Sequence, residues 1–342
     1  MMYKQLIFYP FLMSFLASFL ATPLVVKIAK LFGLVDSPRE RFHPANVHRG
    51  VIPRAGGLAI FIGTLIASLA FLPLDRHLKG ILFGAVIVIV IGLLDDKYDL
   101  SPHFRLLTNF LAALCVIWAG VGIAFINNPF GGIIYLSGAM VDLFAIFWIV
   151  WCMNMVNWSK GVDGQMPGFV AIAAVVIGIL SLKFSADITQ WSVTILAFIT
   201  AGSYLGFLPW NFYPQKIMPG YSGGSLGGYL LAVLSILSTA KMGTMILVLA
   251  VPLIDGVYTI IRRLAAGKLP FWGDRGHLHH RLLDLGWGKR RIAIFYWLVS
   301  AVLGIVALNL NPRQKLYTTV LLVVLIGGFL LWLSQLSRSL EK

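Results

Sequence analysis

The sequence predicts an all-α polytopic integral membrane protein of about eleven transmembrane helices, with the N-terminus outside and the C-terminus in the cytoplasm. Three observations carry this. Only 12% of the 342 residues are charged, about half the roughly 25% of a soluble domain. The stretches 6–26, 188–215, 217–240, 292–312 and 316–337 contain no charged residue, and each reaches the roughly 20 apolar residues that a spanning helix needs. The charges that remain are sided. If the loop after the first span is cytoplasmic and the sides alternate, 20 of the 27 Lys and Arg residues and ten of the 13 acids fall on the inner face, as the positive-inside rule requires.

Taken in order, the candidate spans are 5–25, 56–73, 79–95, 105–125, 141–157, 166–183, 190–208, 224–240, 242–261, 292–310 and 316–336. The first is read as a retained helix, because its apolar run is long, its flank holds the single Lys4, and more spans follow. The eighth and ninth are divided by a very tight turn around Lys241. The break at "NNPFGG" (127–132) reads as a re-entrant or outer hairpin. Cys115 and Cys152 both lie in spans and read as packing residues rather than a disulfide. No soluble domain or internal repeat stands out, so residues 1–342 form one domain with inner loops near 27–55, 95–105, 157–165, 209–225 and 262–291. The net charge of +14 then serves orientation and contact with anionic lipid, and gives no argument for nucleic acid.

Polar chemistry gathers in those inner loops. The first, "VDSPRERFHPANVHRGVIPRAGGLAIFIG" (35–63), carries six basic residues and reads either as an orientation signal or as a cradle for an anion. The second, "GLLDDKYDLSPHFR" (92–105), sets Asp95 and Asp96 side by side at the end of an apolar helix. Carboxylates are unfavourable there, so a metal, a basic neighbour or a raised pKa is expected to offset them. The third, "NMVNWSKGVDGQMPG" (154–168), places Lys160 and Asp163 beside Asn157. The fourth, "NFYPQKIMPGYSGGSLGGY" (211–229), is glycine-rich and offers either backbone N–H groups to a phosphate or close helix packing. The fifth, within 262–291, contains "DRGHLHHRLLDLG". No cysteine pair or second histidine cluster completes a zinc set. Histidines among arginines fit phosphate or diphosphate recognition better, through charge-assisted hydrogen bonds.

Together these loops resemble those of the polyprenyl-phosphate N-acetylhexosamine-1-phosphate transferases, membrane enzymes that begin cell-envelope glycan synthesis. "DSPRERFHPANVHRGVIPRAGG" is similar to that family's D-x-P-x-x-R-K…H…P-R-x-G-G loop, with extra residues between Arg41 and His48. "DDKYDLSP" resembles its D-D-x-x-x-L-S-P element, and "PLIDGVYTIIRRLAAGK" followed by "DRGHLHHRLLDLG" resembles its H-x-H-H-R signature. That signature points to the branch using UDP-N-acetylglucosamine or a related UDP-HexNAc. The resemblance implies attack by polyprenyl phosphate on the β-phosphate of a UDP-sugar, at the cytoplasmic face of a bacterial-type inner membrane. It implies that Asp95 and Asp96 engage the lipid phosphate and Mg²⁺, with either acting as a base. Asn157 and Asp163 would lie in the nucleotide and sugar-phosphate pocket. His277, His279, His280 and Arg281 would bind the diphosphate and sugar, with Arg41 and His48 supporting the cleft. The partners implied are polyprenyl phosphate, a UDP-sugar and membrane lipid; a homodimer stays open.

Two positions depart from the family pattern. Where N-x-x-D-G-x-D-G is usual, "NWSKGVDG" puts Lys160 at the first aspartate, and where G-D-x-G-S is usual, "GYSGG" puts Tyr221 at a metal-binding aspartate. Asp95, Asp96 and Asp163 remain as Mg²⁺ ligands, with Lys160 expected to take over part of the metal's charge. A non-catalytic binder of polyprenyl phosphate or UDP-sugar preserves the same loops. A transporter does not fit well, because transporters keep ionisable groups near the midplane and these charges sit at one edge.

Overall fold

The computed structural model describes residues 4–37, 50–128, 130–183, 189–238, 242–270 and 274–340. Arg41 and His48 lie outside the described residues. A single π-helical turn, Lys4–Phe8, leads into α1 (Tyr9–Leu31), and β1 (Val35–Asp36) pairs antiparallel with β2 (Ile52–Pro53). Then come α2 (Gly56–Phe71), α3 (Arg76–Tyr98) and α4 (Pro102–Trp118), followed by the antiparallel hairpin of β3 (Phe125–Asn127) and β4 (Ile133–Tyr135). The chain continues through α5 (Ala139–Trp158), α6 (Gln165–Leu182), α7 (Thr189–Asn211) and α8 (Gly220–Leu237). It ends with α9 (Met242–Val248), α10 (Ala250–Ala265), α11 (Leu278–Asp284), α12 (Lys289–Ala307) and α13 (Pro312–Leu340).

The protein is an all-α polytopic membrane protein, and each of the eleven predicted stretches contains a helix. Eight helices among the described residues are long and apolar enough to cross a membrane. α2 and α4 are shorter, 16 and 17 residues, or about 24 and 26 Å at 1.5 Å per residue against a hydrocarbon core of about 30 Å. The expected span 105–125 therefore ends early, at Trp118, and its last residues feed the β-hairpin that the "NNPFGG" break announced.

The ninth stretch is corrected. Instead of one straight helix over 242–261, α9 and α10 meet at an angle of 81° across Leu249. Pro252 accounts for the break: it has no N–H to donate to the carbonyl of Val248, and its ring crowds that carbonyl.

Local signals set the other ends. Asp75 caps α3 by accepting from the Leu78 N–H at 2.8 Å. Ser101 accepts from the Phe104 N–H at 3.3 Å, with Pro102 in the first turn of α4, where a missing N–H costs nothing.

α8 lies at the centre. Its glycines let neighbours approach so closely that a Cβ at Gly224 would lie 2.5 Å from Asn157 Oδ1, and one at Gly228 would strike the Cys152 carbonyl, both on α5. At the periphery α13 exposes Val320, Leu321, Val324 and Leu325, an apolar face suited to lipid. The alternating helices bring the ends of α3, α5, α7 and α10 and the starts of α2, α4, α6, α8 and α12 to one end of the bundle.

Candidate active site

Asp95 and Asp96 occupy the last turn of α3 and are completely buried. Their surroundings differ. Asp96 Oδ1 accepts from the Tyr221 N–H at 2.7 Å and lies 3.1 Å from Arg54 Nε. Its Oδ2 accepts from the Ser222 hydroxyl at 2.9 Å and, more weakly, from the Ser222 N–H at 3.4 Å. The N-terminus of α8 is thus an anion-binding end, and its anion is a carboxylate of this same chain. Only glycine fits at residue 220: its φ is +71°, and a Cβ there would collide with the Asp96 carboxylate. The glycine-rich fourth loop thus packs closely, and its Tyr221 and Ser222 N–H groups serve the Asp96 carboxylate rather than the expected phosphate.

Asp95 is the open member of the pair. Neither of its oxygens has a hydrogen-bond partner among the described residues, and Arg105 Nη1 stands 3.5 Å away. A buried carboxylate without partners is costly. The charge of Asp95 is met by Arg105, while its hydrogen-bonding capacity is unused among the described residues.

Lys160 approaches from the turn between α5 and α6. Its amine donates to Asn157 Oδ1 at 2.6 Å and sits 5.6 Å from the centre of the Tyr221 ring. Arg105 lies over that ring at 5.6 Å as well. The Tyr221 hydroxyl is fixed by donating to Asn109 Oδ1 at 3.1 Å. Burial, reinforced by repulsion from Arg54 and Arg105 and opposed by Asp96 and Asp95, lowers the Lys160 amine to about 7.

Asp163, the third expected metal ligand, is committed elsewhere. Its Oδ1 meets Lys289 Nζ at 3.0 Å, and its Oδ2 accepts from the Gln215 N–H at 3.2 Å. It clasps the third loop to the fourth loop and to the start of α12. Asn211 completes the clasp by accepting from the Gly164 N–H at 3.0 Å.

Mg²⁺ takes an octahedron of oxygens, usually one or two carboxylates with waters and substrate phosphates. The donor set here does not fit it as expected. No group of three or more His, Cys, Asp or Glu side chains that could hold a metal exists among the described residues. Asp96 and Asp163 already engage internal donors, and Asp95 faces Arg105 rather than a second open acid. Asp95, Asp96 and Asp163 do not come together as a three-carboxylate group among the described residues.

The histidine loop is organised by a residue the sequence reading passed over. Asp255 of α10 is buried, binds His277 Nδ1 at 2.8 Å through Oδ2, and accepts from the Leu278 N–H at 2.8 Å through Oδ1. It thereby fixes one histidine ring and caps α11. His279 stacks on His277, with centroids 5.6 Å apart, and contacts His280 at 4.3 Å.

Burial, with the neighbouring histidines and Arg275, holds His279 well below its ordinary value. Burial with His277 and Arg275 lowers His280 to about 4. Both shifts favour the neutral rings at pH 7 rather than the charged form that charge-assisted hydrogen bonds would use. The Nδ1 atoms of both have no hydrogen-bond partner among the described residues. His279 also packs flat against Gly161, where a Cβ would collide with it. That contact joins the histidine loop to the Lys160 loop, so the two halves of the site share a wall.

Arg281 is less available than expected. Its Nε donates to the Gly276 carbonyl and its Nη1 to the Leu330 carbonyl of α13, both at 3.0 Å. Asp274 gathers Arg262 at 2.7 Å and Arg263 at 3.1 Å, and these cations outweigh burial to hold its carboxyl below the usual range.

Arg54, Arg105, Ser222 and Asp255 are the site residues missed. Asp255 had a usable signal, an acid within an otherwise apolar helix. Arg54 stood in the quoted "PRAGG".

The family model of glycosyl transferase family 4 matches residues 78–239, the stretch that carries Asp95, Asp96, Asn157, Lys160 and Tyr221. The chain is 32% identical over 323 residues to the probable undecaprenyl-phosphate N-acetylglucosaminyl 1-phosphate transferase of Bacillus subtilis, covering 92% of this chain and 88% of that one. It is 31% identical to the decaprenyl-phosphate N-acetylglucosaminephosphotransferase of Mycobacterium leprae, over 87% and 82% of the two chains. The undecaprenyl-phosphate alpha-N-acetylglucosaminyl 1-phosphate transferase of Yersinia pestis is 28% identical, over 94% and 89%.

Proposed function

The chain belongs to glycosyl transferase family 4, with the polyprenyl-phosphate N-acetylhexosamine-1-phosphate transferases, and we propose that it transfers N-acetylglucosamine 1-phosphate from UDP-N-acetylglucosamine to a polyprenyl phosphate, releasing UMP. The observation that carries this reading is the Asp95 carboxylate, buried, ion-paired with Arg105 at 3.5 Å and without a hydrogen-bond donor among the described residues. A phosphate monoester monoanion brings to that place the one thing the carboxylate lacks, a proton to accept. Arg105 and Lys160 hold the remaining phosphate oxygens. Asp95 takes the proton, the freed oxygen attacks the β-phosphorus, and the bond from the β-phosphorus to the oxygen bridging it to the α-phosphorus breaks. UMP leaves with the electron pair. Such transfer is mainly positioning and charge stabilisation.

Asp96 acts by placing Arg54 and the N-terminus of α8 around its neighbour. His277, held through Nδ1 by Asp255, keeps Nε2 for the diphosphate or sugar, alongside His279 and His280. The reaction face is the cytoplasmic side of a bacterial-type inner membrane, which the 20 inner-face basic residues support.

UMP release by the purified protein in detergent tests the reading. Polyprenyl phosphate with UDP-N-acetylglucosamine should yield UMP. Asp95→Asn should lower turnover by about 10²-fold or more, the usual contribution of a positioned base. Failure with every UDP-HexNAc donor would overturn transfer.

A further inference from the structure

We propose that Lys160 and Arg105, both set against the Tyr221 ring beside Asp95, form a built-in cation site that binds a phosphate oxyanion without a divalent metal. The proposal rests on the transferase reading for its ligand and deepens it. Charge comes first. Three cations, Arg54, Arg105 and Lys160, surround the two buried carboxylates. Arg54 is absorbed by Asp96 at 3.1 Å and shared with Asp36 at 3.9 Å. Arg105 and Lys160 are left with Asp95. Lys160 donates to a neutral partner, Asn157, and has no carboxylate within salt-bridge reach among the described residues. Its charge is uncommitted.

Geometry comes second. An ammonium and a guanidinium each lie 5.6 Å from the same ring centre, the guanidinium also paired with Asp95 and the ammonium with no acid in reach among the described residues. The ring cannot turn away, because its hydroxyl is tied to Asn109 and its backbone N–H to Asp96. Tyr221 is a rigid spacer that keeps two donors apart and turned toward one place. A planar guanidinium and a compact ammonium suit a phosphate in complementary ways, one as a fork and one as a point charge. The third observation is the donor set itself: no three His, Cys, Asp or Glu side chains that could hold a metal come together among the described residues, and Asp95 has no hydrogen-bond donor there.

The oxyanion has two sources, the lipid acceptor and the nucleotide-sugar diphosphate, so the test has two arms. Undecaprenyl phosphate binding is followed by native mass spectrometry, and UDP-N-acetylglucosamine binding by calorimetry, each in Mg²⁺ and in excess chelator. Wild type should keep its affinity in chelator in at least one arm, and that arm identifies the source. Lys160→Gln should weaken that arm by about 10- to 100-fold, the worth of a charged hydrogen bond, and Lys160→Arg should restore most of it. Mn²⁺ titrated against the protein should keep its free paramagnetic resonance signal. Loss of binding on chelation in both arms, one saturable Mn²⁺ per chain, or unchanged affinities in a folded Lys160→Gln protein would each overturn the proposal. Chelator-resistant, Lys160-dependent binding without UMP release would support the cation site while overturning transfer, so the two failures are distinct.

Discussion

The Lys160 amine titrates near 7, which makes its ligand affinity a function of pH with a definite sign. Below that value the amine is charged and meets an oxyanion as a cation; above it the charge is lost. Arg54, Arg105, Asp95 and Asp96 face it, with Asn157 and Tyr221 as neutral neighbours. Affinity for whichever of the two ligands depends on Lys160 should therefore fall as pH rises from 7 to 9, by at most about tenfold per unit for one proton. Lys160→Arg should flatten that profile, because arginine stays charged. A flat profile in the wild-type protein would remove Lys160 from the binding step. Asp255→Asn is the second expectation at this scale. It keeps the shape but loses the charge that orients His277 and caps α11, so turnover should drop about 10- to 100-fold. The thermal midpoint should move little, and a KM rise without a kcat loss would assign Asp255 to binding alone. The sequence brought Asp95, Lys160, Asn157 and the histidines to notice because each stood in a polar loop. It did not disclose Arg54 or Asp255 as partners, because their contacts cross 42 and 22 positions of chain. Nor did it reveal that Asp163 and Arg281 are spent on internal bonds.

Among the elements, α8 shows most directly how packing makes chemistry. Its first turn supplies Asp96 with two N–H groups and a hydroxyl, and its glycines allow α5 to bring Asn157 and Lys160 alongside. Gly220→Ala tests the arrangement, since it forces a side chain into a left-handed conformation against a carboxylate. The strain alone is worth about 1–3 kcal/mol, so the thermal midpoint should fall and UMP release should fall further; an active, fully stable variant would mean that α8 need not abut Asp96. Helix positions were legible in the apolar runs, because burial in lipid demands them. The break in the ninth was not read, although Pro252 announces it, because hydropathy averages over a window and a missing N–H is a single-position event.

For the whole molecule, the expectation is about sides. The β3–β4 hairpin and the acidic site lie at opposite ends of the bundle. In a background with Cys115 and Cys152 replaced by serine, Lys268→Cys should react with an impermeant thiol reagent only from the cytoplasm, and Phe130→Cys only from outside. Labelling of both from one side would overturn the orientation. The expectation about sides comes from charge asymmetry, a property of composition, whereas the arrangement of the site depends on contacts between loops that only the folded bundle makes.

Asp96 also bears on how the protein is made. Its backbone donors lie 125 and 126 positions further along the chain, so a ribosome finishes α3 long before α8 exists. Until then the Asp96 carboxylate, at the end of α3, has neither of those two N–H donors. Arg54 has already been synthesised by then, and in the finished protein it lies 3.1 Å from that carboxylate. The arginine can neutralise the nascent hairpin while the helix that will share the load is still to come, which makes it a counter-ion for biogenesis before it is a neighbour of the reaction site.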